Sequence, residues 1–213
     1  MADLIKSKQR VADHGEVFTP LWLVEDMLDL VRQETDRIDS RFLEPACGSG
    51  NFLVPVLQRK LLAVHKNYKT SEFERCHYAL LGLMSIYGIE LLKDNAEECR
   101  SNLAKAFRDY LQLEDSDPAV SAAKAVLEVN IVQGDALTLK DHEGAPIVFA
   151  EWSYLGKGRF NRRDFKYDEL LQMSSFGVGT LFEAMKADDI FAPVKDYPPL
   201  SLEGISKIVR TVG

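Results

Sequence analysis

The chain has 213 residues, of which 46% are hydrophobic and 28% are charged, and its formal net charge at pH 7 is -7. A chain of this length can bury one good core, so we expect one domain with appendages. The negative charge argues against binding nucleic acid through the whole surface, because phosphate binding needs clustered lysine and arginine. Any contact with DNA must then be local or shared with a partner.

Signals for export, membrane insertion and disulfide bonding are not evident in the sequence. The N-terminal stretch MADLIKSKQR is polar and basic, and no run of about eighteen apolar residues occurs. Cys47, Cys76 and Cys99 are widely spaced and are accompanied by only four histidines, which does not suggest a zinc framework. We therefore expect a cytoplasmic protein with reduced cysteines, no metal site and no membrane partner.

Helix signals occur throughout the first 130 residues. Residues 1–16 are predicted to form a polar arm, and Thr19-Pro20 predicts the cap and start of a helix that continues to Glu34. Asp94 and Glu97 resemble a capping box at the start of another helix. Its continuous apolar face comprises Ala96, Cys99, Leu103, Ala106, Phe107 and Tyr110. Further helices are predicted over residues 51–64 and 71–84, and a loop over 113–120 precedes a short helix.

Strand signals alternate with these helices, at residues 41–43, 86–90, 130–133 and 146–150. Such alternation predicts a mostly parallel sheet with helices on both faces, a doubly wound, Rossmann-like α/β domain. We place this domain at residues 1–155. Residues 156–213 lose the alternation and are predicted to form a basic, aromatic and proline-containing C-terminal tail that packs on the same domain.

The strongest functional signal is the segment FLEPACGSGNF, residues 42–52, in which Glu44 ends a strand and a glycine turn follows. Gly48 and Gly50 let the backbone approach a ligand closely, and the next helix offers free N–H groups. The segment departs from the dinucleotide fingerprint, because Leu53 stands where a third glycine is expected. Glu44 would also repel a pyrophosphate. A cofactor that carries an amino group fits better.

This segment resembles the first motif of N6-adenine DNA methyltransferases, especially the modification subunits of type I restriction systems. The resemblance implies the Rossmann-like fold of methyltransferases that use S-adenosylmethionine. It also implies that Glu44 orients the methionine amino group of this cofactor, while Gly48 and Gly50 clear space for it. The cofactor-binding positions implied in this motif are Glu44, Pro45, Ala46, Cys47, Gly48, Gly50, Asn51 and Phe52.

Three other segments resemble motifs of the same family, in the family's order. Residues 15–20 (GEVFTP) resemble the Phe-Thr-Pro motif, which implies that Phe18, Thr19 and Pro20 close over the methionine end. YGIE, residues 87–90, resembles the second motif, which implies that its carboxylate accepts hydrogen bonds from the two ribose hydroxyls of the cofactor. In GDAL, residues 134–137, the acid would accept from the adenine amine and apolar neighbours would flank the ring. The residues implied in these two motifs are Glu90, Leu91, Asp135, Ala136 and Leu137.

Each motif taken alone has an ordinary structural alternative, such as a strand-end turn or a plain core residue. Their common order over residues 15–137, each in its expected helix or strand context, favours a cofactor site instead.

The family's catalytic motif, [DNS]-P-P-[YFW] after the fourth strand, does not occur in this chain. Glu151 and Tyr154 follow the predicted fourth strand at the matching positions, so they are the candidate catalytic pair. They could accept a hydrogen bond from an extruded adenine and stack on it. Both prolines are missing, so the turn that would fix this geometry is lost. Residues 196–200 (DYPPL) contain Pro-Pro, but no strand precedes them and we discount them.

The tail also carries a candidate nucleic-acid contact. Its basic side chains are interspersed with aromatic ones, and such pairs bind phosphates and stack on bases. A solvated loop that leads into a helix is the simpler alternative. The candidate contact residues are Lys157, Arg159, Arg162 and Arg163.

The resemblance implies an adenine-specific DNA methyltransferase of a restriction-modification or phage-defence system. S-adenosylmethionine would be its cofactor, DNA its substrate, and a specificity or other restriction subunit a further partner. Two alternatives stay open. The chain could be a non-catalytic S-adenosylmethionine-binding module, or a methyltransferase that acts on RNA, protein or a small molecule.

Overall fold

A computed structural model describes residues 6–14, 16–169 and 192–208, and at its centre is a four-stranded, mostly parallel sheet. Strands β1 and β2 pair in parallel, as do β2 and β3, whereas the two-residue β4 is antiparallel to β3. The fold is therefore mixed α/β. The strands are β1 (Phe42–Glu44), β2 (Ile86–Glu90), β3 (Ile131–Asp135) and β4 (Lys140–Asp141).

Two helices connect β1 with β2, and two more connect β2 with β3. Two of these helices have the predicted kind of N-terminal signal: Ser71 caps one through Glu74 N–H, and Asp117 caps another that has Pro118 at its first position. None of the described helices is both long and apolar enough to cross a membrane. The helices are α1 (Lys8–His14), α2 (Leu21–Leu30), α3 (Arg32–Thr35), α4 (Leu53–Tyr68), α5 (Glu72–Met84), α6 (Lys93–Leu111), α7 (Pro118–Asn130) and α8 (Leu202–Ile205).

The N-terminal helices differ from the prediction in three ways. The predicted arm contains α1, and the helix predicted to continue to Glu34 is interrupted at Val31, giving α2 and α3. Thr19 does not cap α2, because Pro20 occupies the cap position and no side chain bonds there. The predicted capping box of α6 is also wrong. Leu92 occupies the cap position, and the Asp94 carboxylate instead pairs with Arg10, at 2.8 Å.

The predicted fourth strand does not join the parallel sheet. It forms β5 (Val148–Gly156), which pairs antiparallel with β6 (Arg159–Lys166) in a second sheet that ends with β7 (Lys195–Asp196). The reason is the turn at Lys157-Gly158, where φ is 52° and 72°. Glycine adopts positive φ at little cost, so the Gly-Lys-Gly sequence reverses the chain into a hairpin.

The two faces of the parallel sheet are covered differently. Ile86 and Ile131 point into the main core, which the helices build together with part of β5 and β6. Tyr87 and Ile89 point to the other face and pack with Val132 on β3. They also pack with Phe149 of β5 and with two residues beside the second sheet, Ile147 before β5 and Tyr167 after β6. Within the described residues, helices thus cover one face and β5 covers the other, which differs from the predicted arrangement.

Asn130, the last residue of α7, joins the two sheets. Its side chain is fully buried, and Nδ2 donates to the carbonyls of Met84 (3.0 Å) and Ile86 (3.1 Å). Its Oδ1 accepts from Nε1 of Trp152 on β5, at 3.1 Å. One amide therefore satisfies three buried polar groups at the amino ends of the strands.

Replacing Asn130 with alanine should destabilise the fold. The substitution leaves two buried carbonyls and one indole N–H unpaired, which costs about 2–4 kcal/mol of unfolding free energy. Urea denaturation measures this loss. Ser121→Ala, on the exposed side of the same helix, is the matched control and should unfold like the wild type. Equal midpoints for the two variants would contradict the assigned role of Asn130.

Candidate functional site

The three longest strands of the parallel sheet end at one edge, and each ends in an acidic residue. These residues are Glu44, Glu90 and Asp135, at the ends of β1, β2 and β3. The register pairs Glu44 with Gly88 and Glu90 with Gln133, so the carboxyl ends of these strands lie side by side. The crevice beyond the carboxyl ends of parallel strands is where open α/β sheets bind ligands.

The turn after β1 depends on its two glycines. Gly48 and Gly50 have φ of +53° and +93°, in the left-handed region that favours glycine. A Cβ on Gly50 would lie 3.1 Å from Sγ of Cys99, and one on Gly48 would lie 3.3 Å from Cε1 of Phe18. Phe18 therefore packs directly over the turn. Any side chain at either glycine would displace a neighbour.

Glu90 joins this turn to the end of β2. Its residue is 8% exposed, and its Oε2 accepts from Gly48 N–H at 2.8 Å while Oε1 accepts from Leu92 N–H at 2.9 Å. Each carboxylate oxygen keeps a second lone pair, so the group can still accept from a hydroxyl. Glu90 is thus a structural bridge as well as a candidate ligand group. The sequence predicts its ligand role but does not reveal the bridge.

Glu44 is half-buried beside the turn. Its Oε1 accepts from Ala46 N–H at 3.3 Å. Burial raises the pKa of Glu44, and the Ala46 N–H only partly offsets that effect. A cation next to such a carboxylate lowers its pKa again, so the site favours a positively charged group.

The acid at the end of β3 is flanked by exposed apolar side chains. Asp135 Oδ1 accepts from Leu137 N–H at 2.8 Å. Leu137 is 94% exposed and Leu91, directly after Glu90, is 57% exposed, whereas Ala136 is partly buried. These apolar groups beside carboxylates suit a ring that carries hydrogen-bond donors.

The Phe-Thr-Pro segment lies on the helical side of the glycine turn. Phe18, Thr19 and Pro20 line a cleft of about 910 Å³ together with Gly50, Asn51 and residues of α4 and α6. The three strand-end carboxylates are not among its lining residues. The cleft therefore lies beside the edge where the acidic residues meet. Gly15, which begins this motif, is outside the described residues.

The remaining residues of the first motif divide between surface and core. Pro45, Ala46 and Asn51 are exposed, while Phe52 packs against the main core. Cys47 is buried, and its Sγ would lie 2.8 Å from a Cβ on Gly88. The neighbouring Cys99 and burial raise the pKa of Cys47. The thiol is therefore an uncharged packing group beneath the turn.

The structure does not bring Glu151 and Tyr154 to this edge. Glu151 Oε1 lies 2.6 Å from Nη2 of Arg41, which precedes β1, and its other oxygen pairs with Arg163. Tyr154 packs against aromatic side chains of α5, and its hydroxyl accepts from Gly158 N–H at 3.1 Å. Both candidates thus lie near the amino ends of the parallel strands. They lie there because β5 runs across the sheet in the direction opposite to β1, β2 and β3.

The predicted nucleic-acid contact needs one correction. Arg162 is fully buried, because alternate residues of β6 point inward and its guanidinium pairs with Asp164 at 2.7 Å. Its guanidinium carbon also lies 4.4 Å from the ring centroid of Tyr197. Arg162 is therefore not available to a phosphate. The other candidates, Lys157, Arg159 and Arg163, are exposed, and their contact with DNA stays a prediction.

Two asparagines of α6 hold parts of the candidate site, and the sequence motifs do not predict either of them. Asn102 Nδ2 donates to Ser49 O of the glycine turn at 2.9 Å. Asn95 is 1% exposed and bonds the Glu16 carboxylate near the Phe-Thr-Pro segment. The two lie seven residues apart, on one face of the helix, and asparagine is a poor helix former. That spacing was the signal for their role.

The arrangement is that of an α/β protein with a glycine turn and acidic side chains at the carboxyl edge of its sheet. A model of the N-6 DNA Methylase family matches residues 5–111, about half of the chain. The chain belongs to the N-6 DNA methylase family, whose members are adenine-specific DNA methyltransferases and use S-adenosylmethionine. The match includes Phe18, the glycine turn and Glu90, and it ends before Asp135 and β5. No curated protein and no solved structure matches the chain.

Replacing Glu90 with alanine should destabilise the fold as well as alter the site. The change leaves the N–H groups of Gly48 and Leu92 without their charged acceptor, at a cost of about 2–3 kcal/mol. Thermal and urea unfolding measure this cost. Glu97→Ala, an exposed carboxylate on α6, is the control and should change stability by less than about 0.5 kcal/mol. A Glu90→Ala protein as stable as this control would contradict the bridging role.

Proposed function

We propose that the chain binds S-adenosylmethionine at the carboxyl edge of the parallel sheet, as the cofactor-binding part of an adenine-specific DNA methyltransferase in a restriction-modification or phage-defence system. The observation that carries this proposal is the meeting of three strand-end carboxylates with a glycine turn. The bound cofactor would supply the methyl group. Sequence choice and further partners would come from another subunit.

Each carboxylate suits one part of this cofactor. Glu44 would hold the ammonium of the methionine end, because a half-buried carboxylate gains most from a cation. Glu90 would accept from the ribose hydroxyls through its free lone pairs, and Asp135 from the adenine amine. Leu91, Ala136 and Leu137 would flank the ring. The remaining proposed contacts are Phe18, Thr19, Pro20, Pro45, Ala46, Gly48, Gly50 and Asn51, whereas the side chains of Cys47 and Phe52 pack into the core beneath the turn.

We do not extend the catalytic role to Glu151 and Tyr154. A group that accepts a hydrogen bond from the target amine must lie beside the methyl donor, because methyl transfer depends on that geometry. Both residues lie at the opposite edge of the sheet from Glu44 and Glu90. The acceptor-binding turn would therefore come from a second polypeptide.

The free edge of β1 is where such a polypeptide would pair. Among the described residues β1 is an edge strand, and the N–H of its Phe42 donates to the carbonyl of Ser85, the residue before β2, at 2.9 Å. This register turns the backbone groups of Leu43 outward, and Leu43 is 38% exposed. A parallel strand added here would end at the glycine turn and would complete a doubly wound methyltransferase sheet.

A non-catalytic S-adenosylmethionine-binding module is the second candidate function. It is favoured by the same location of Glu151 and Tyr154, away from the carboxyl edge. In that case the cofactor would act as a regulatory or structural ligand. Activity with a partner subunit distinguishes the two candidates.

Cofactor binding should depend on pH through Glu44. Only the carboxylate form attracts the ammonium, so affinity should fall as pH decreases through the raised pKa of Glu44. Glu44→Gln should weaken binding at neutral pH by about tenfold or more, the value of one charge-assisted hydrogen bond, and should flatten the pH dependence. Calorimetric titration with S-adenosylmethionine measures both effects.

Glu143→Gln, an exposed carboxylate near β4, is the matched control for this titration, and NAD is the control ligand. Equal affinity of Glu44→Gln and wild type at every pH would refute the ammonium assignment. Failure of the wild type to bind S-adenosylmethionine would refute the proposed function.

Methylation should require a second polypeptide. We expect the purified chain to transfer no labelled methyl group to DNA alone, and to do so when the products of neighbouring genes are added. Leu43→Pro should abolish this activity, because it removes the outward N–H of an edge strand without breaking its bonds to β2. Tyr154→Phe should retain it. The purified chain could instead methylate DNA alone and lose this activity when Tyr154 or Glu151 is changed. That result would show that the partner is not needed.

A further inference from the structure

The described N-terminal arm is tied to the start of α6 by a partly buried polar cluster. Arg10 pairs with Glu16 through two bonds, Nε to Oε2 at 2.5 Å and Nη2 to Oε1 at 2.8 Å. Asn95 Nδ2 donates to the same Oε1 at 2.5 Å, and Arg10 Nη1 also reaches Asp94 at 2.8 Å. The side chain of Glu16 is only 8% exposed and Asn95 is 1% exposed. We call Arg10, Glu16, Asp94 and Asn95 the arm cluster.

The arm cluster joins two parts of the candidate cofactor site. Glu16 is two residues before Phe18, whose ring packs over Gly48. Asn95 is in the first turn of α6, three residues after Leu92, whose N–H bonds Glu90. The cluster therefore links the segment above the glycine turn with the loop that holds the ribose-binding candidate.

Side chains, rather than the backbone, hold the segment that contains Phe18. Among the described residues, no backbone–backbone hydrogen bond involves residues 16–19. The next backbone group along the chain that forms one is the carbonyl of Pro20, which accepts from N–H groups of α2. The Glu16 carboxylate is thus the polar anchor of the segment. Arg10 strengthens that anchor, since its hydrogen bond and charge hold the pKa of Glu16 below its ordinary value.

We propose that Arg10 and Glu16 are positioning residues for S-adenosylmethionine, which hold Phe18 over Gly48 without contacting the cofactor. The N-terminal arm is then part of the cofactor site, because releasing it lets the Phe18 segment leave the turn. This inference rests on the proposed function for its ligand. Its structural half, the positioning of Phe18 by Arg10, holds independently of any ligand.

The first measurement is the dissociation constant of S-adenosylmethionine for a set of full-length variants. Arg10→Gln and Glu16→Ala should each raise Kd by about tenfold, because they break the charged anchor of the Phe18 segment. Glu16→Gln keeps an acceptor for Asn95, so binding should be partly rescued. Arg108→Gln is the matched control, since Arg108 forms a similar cluster with Asp109 and Asp115 at the other end of α6.

The second measurement is hydrogen exchange in the protein without added ligand. In Arg10→Gln and Glu16→Ala, the amides of Gly48 and Gly50, which are hydrogen-bonded beneath Phe18, should exchange faster than in the wild type, while those of β3 stay unchanged. Arg108→Gln should leave the exchange of both glycine amides as in the wild type. A general loss of stability would instead speed exchange in β3 as well.

The outcomes separate this inference from the proposed function. If the wild type binds S-adenosylmethionine and Arg10→Gln binds it equally well, the positioning role is wrong. If exchange at the Gly48 and Gly50 amides does not change in Arg10→Gln, the role is also wrong. If the wild type binds no S-adenosylmethionine, the proposed function fails together with the cofactor half of the inference, and the exchange data still decide whether Arg10 positions Phe18.

Discussion

The buried carboxylate of Glu90 is the interaction on which the candidate site depends. A buried charge must be compensated by hydrogen-bond donors, and here the donors are two backbone N–H groups from different loops. One donor is Gly48, so the end of β2 fixes the turn that follows β1. Around this bond the turn is held further by Cys47 N–H on Ile89 O and by Asn102 on Ser49 O. The glycine turn is therefore specified by its neighbours as well as by its own sequence.

The second determinant is the hairpin that follows the parallel sheet. Because β5 reverses at Gly156-Lys157-Gly158, it packs on the face of the sheet instead of beside β1. The Tyr87 hydroxyl donates to Ala150 O at 2.7 Å, and Asn130 accepts from Trp152, so two hydrogen bonds fix the hairpin near the amino ends of β2 and β3. Among the described residues, the edge of β1 is therefore left unpaired. One short turn thus directs β5 away from the parallel sheet.

The sequence predicted those features that follow from local patterns. Glu44, Glu90 and Asp135 come directly after apolar strand segments, and parallel strands must end at a common edge, so their meeting was foreseeable. The amphipathic course of α6 was equally clear. Strand pairing was not, since β5 is apolar at its start whether it joins a parallel sheet or a hairpin. The Gly-Lys-Gly turn was the available sign.

Long-range pairs of side chains account for most of the contacts that the sequence does not predict. Arg10 and Glu16 meet Asn95 across roughly eighty residues, and no periodicity encodes that contact. The predicted nucleic-acid contact of Arg162 is wrong for a related reason. Its charge indicated an exposed role, but the alternation of β6 and the carboxylate two residues later make it a core residue.

Pro45 gives the free edge of β1 a further property. Long, flat and exposed edges invite uncontrolled pairing between copies of a chain, and proteins blunt them by shortening the strand or adding proline. Here β1 has only three residues, and Pro45 follows it at once with no N–H to donate. A short edge that ends in proline is a poor template for such pairing. The short length of β1 and Pro45 therefore disfavour uncontrolled pairing between copies of the chain at this edge.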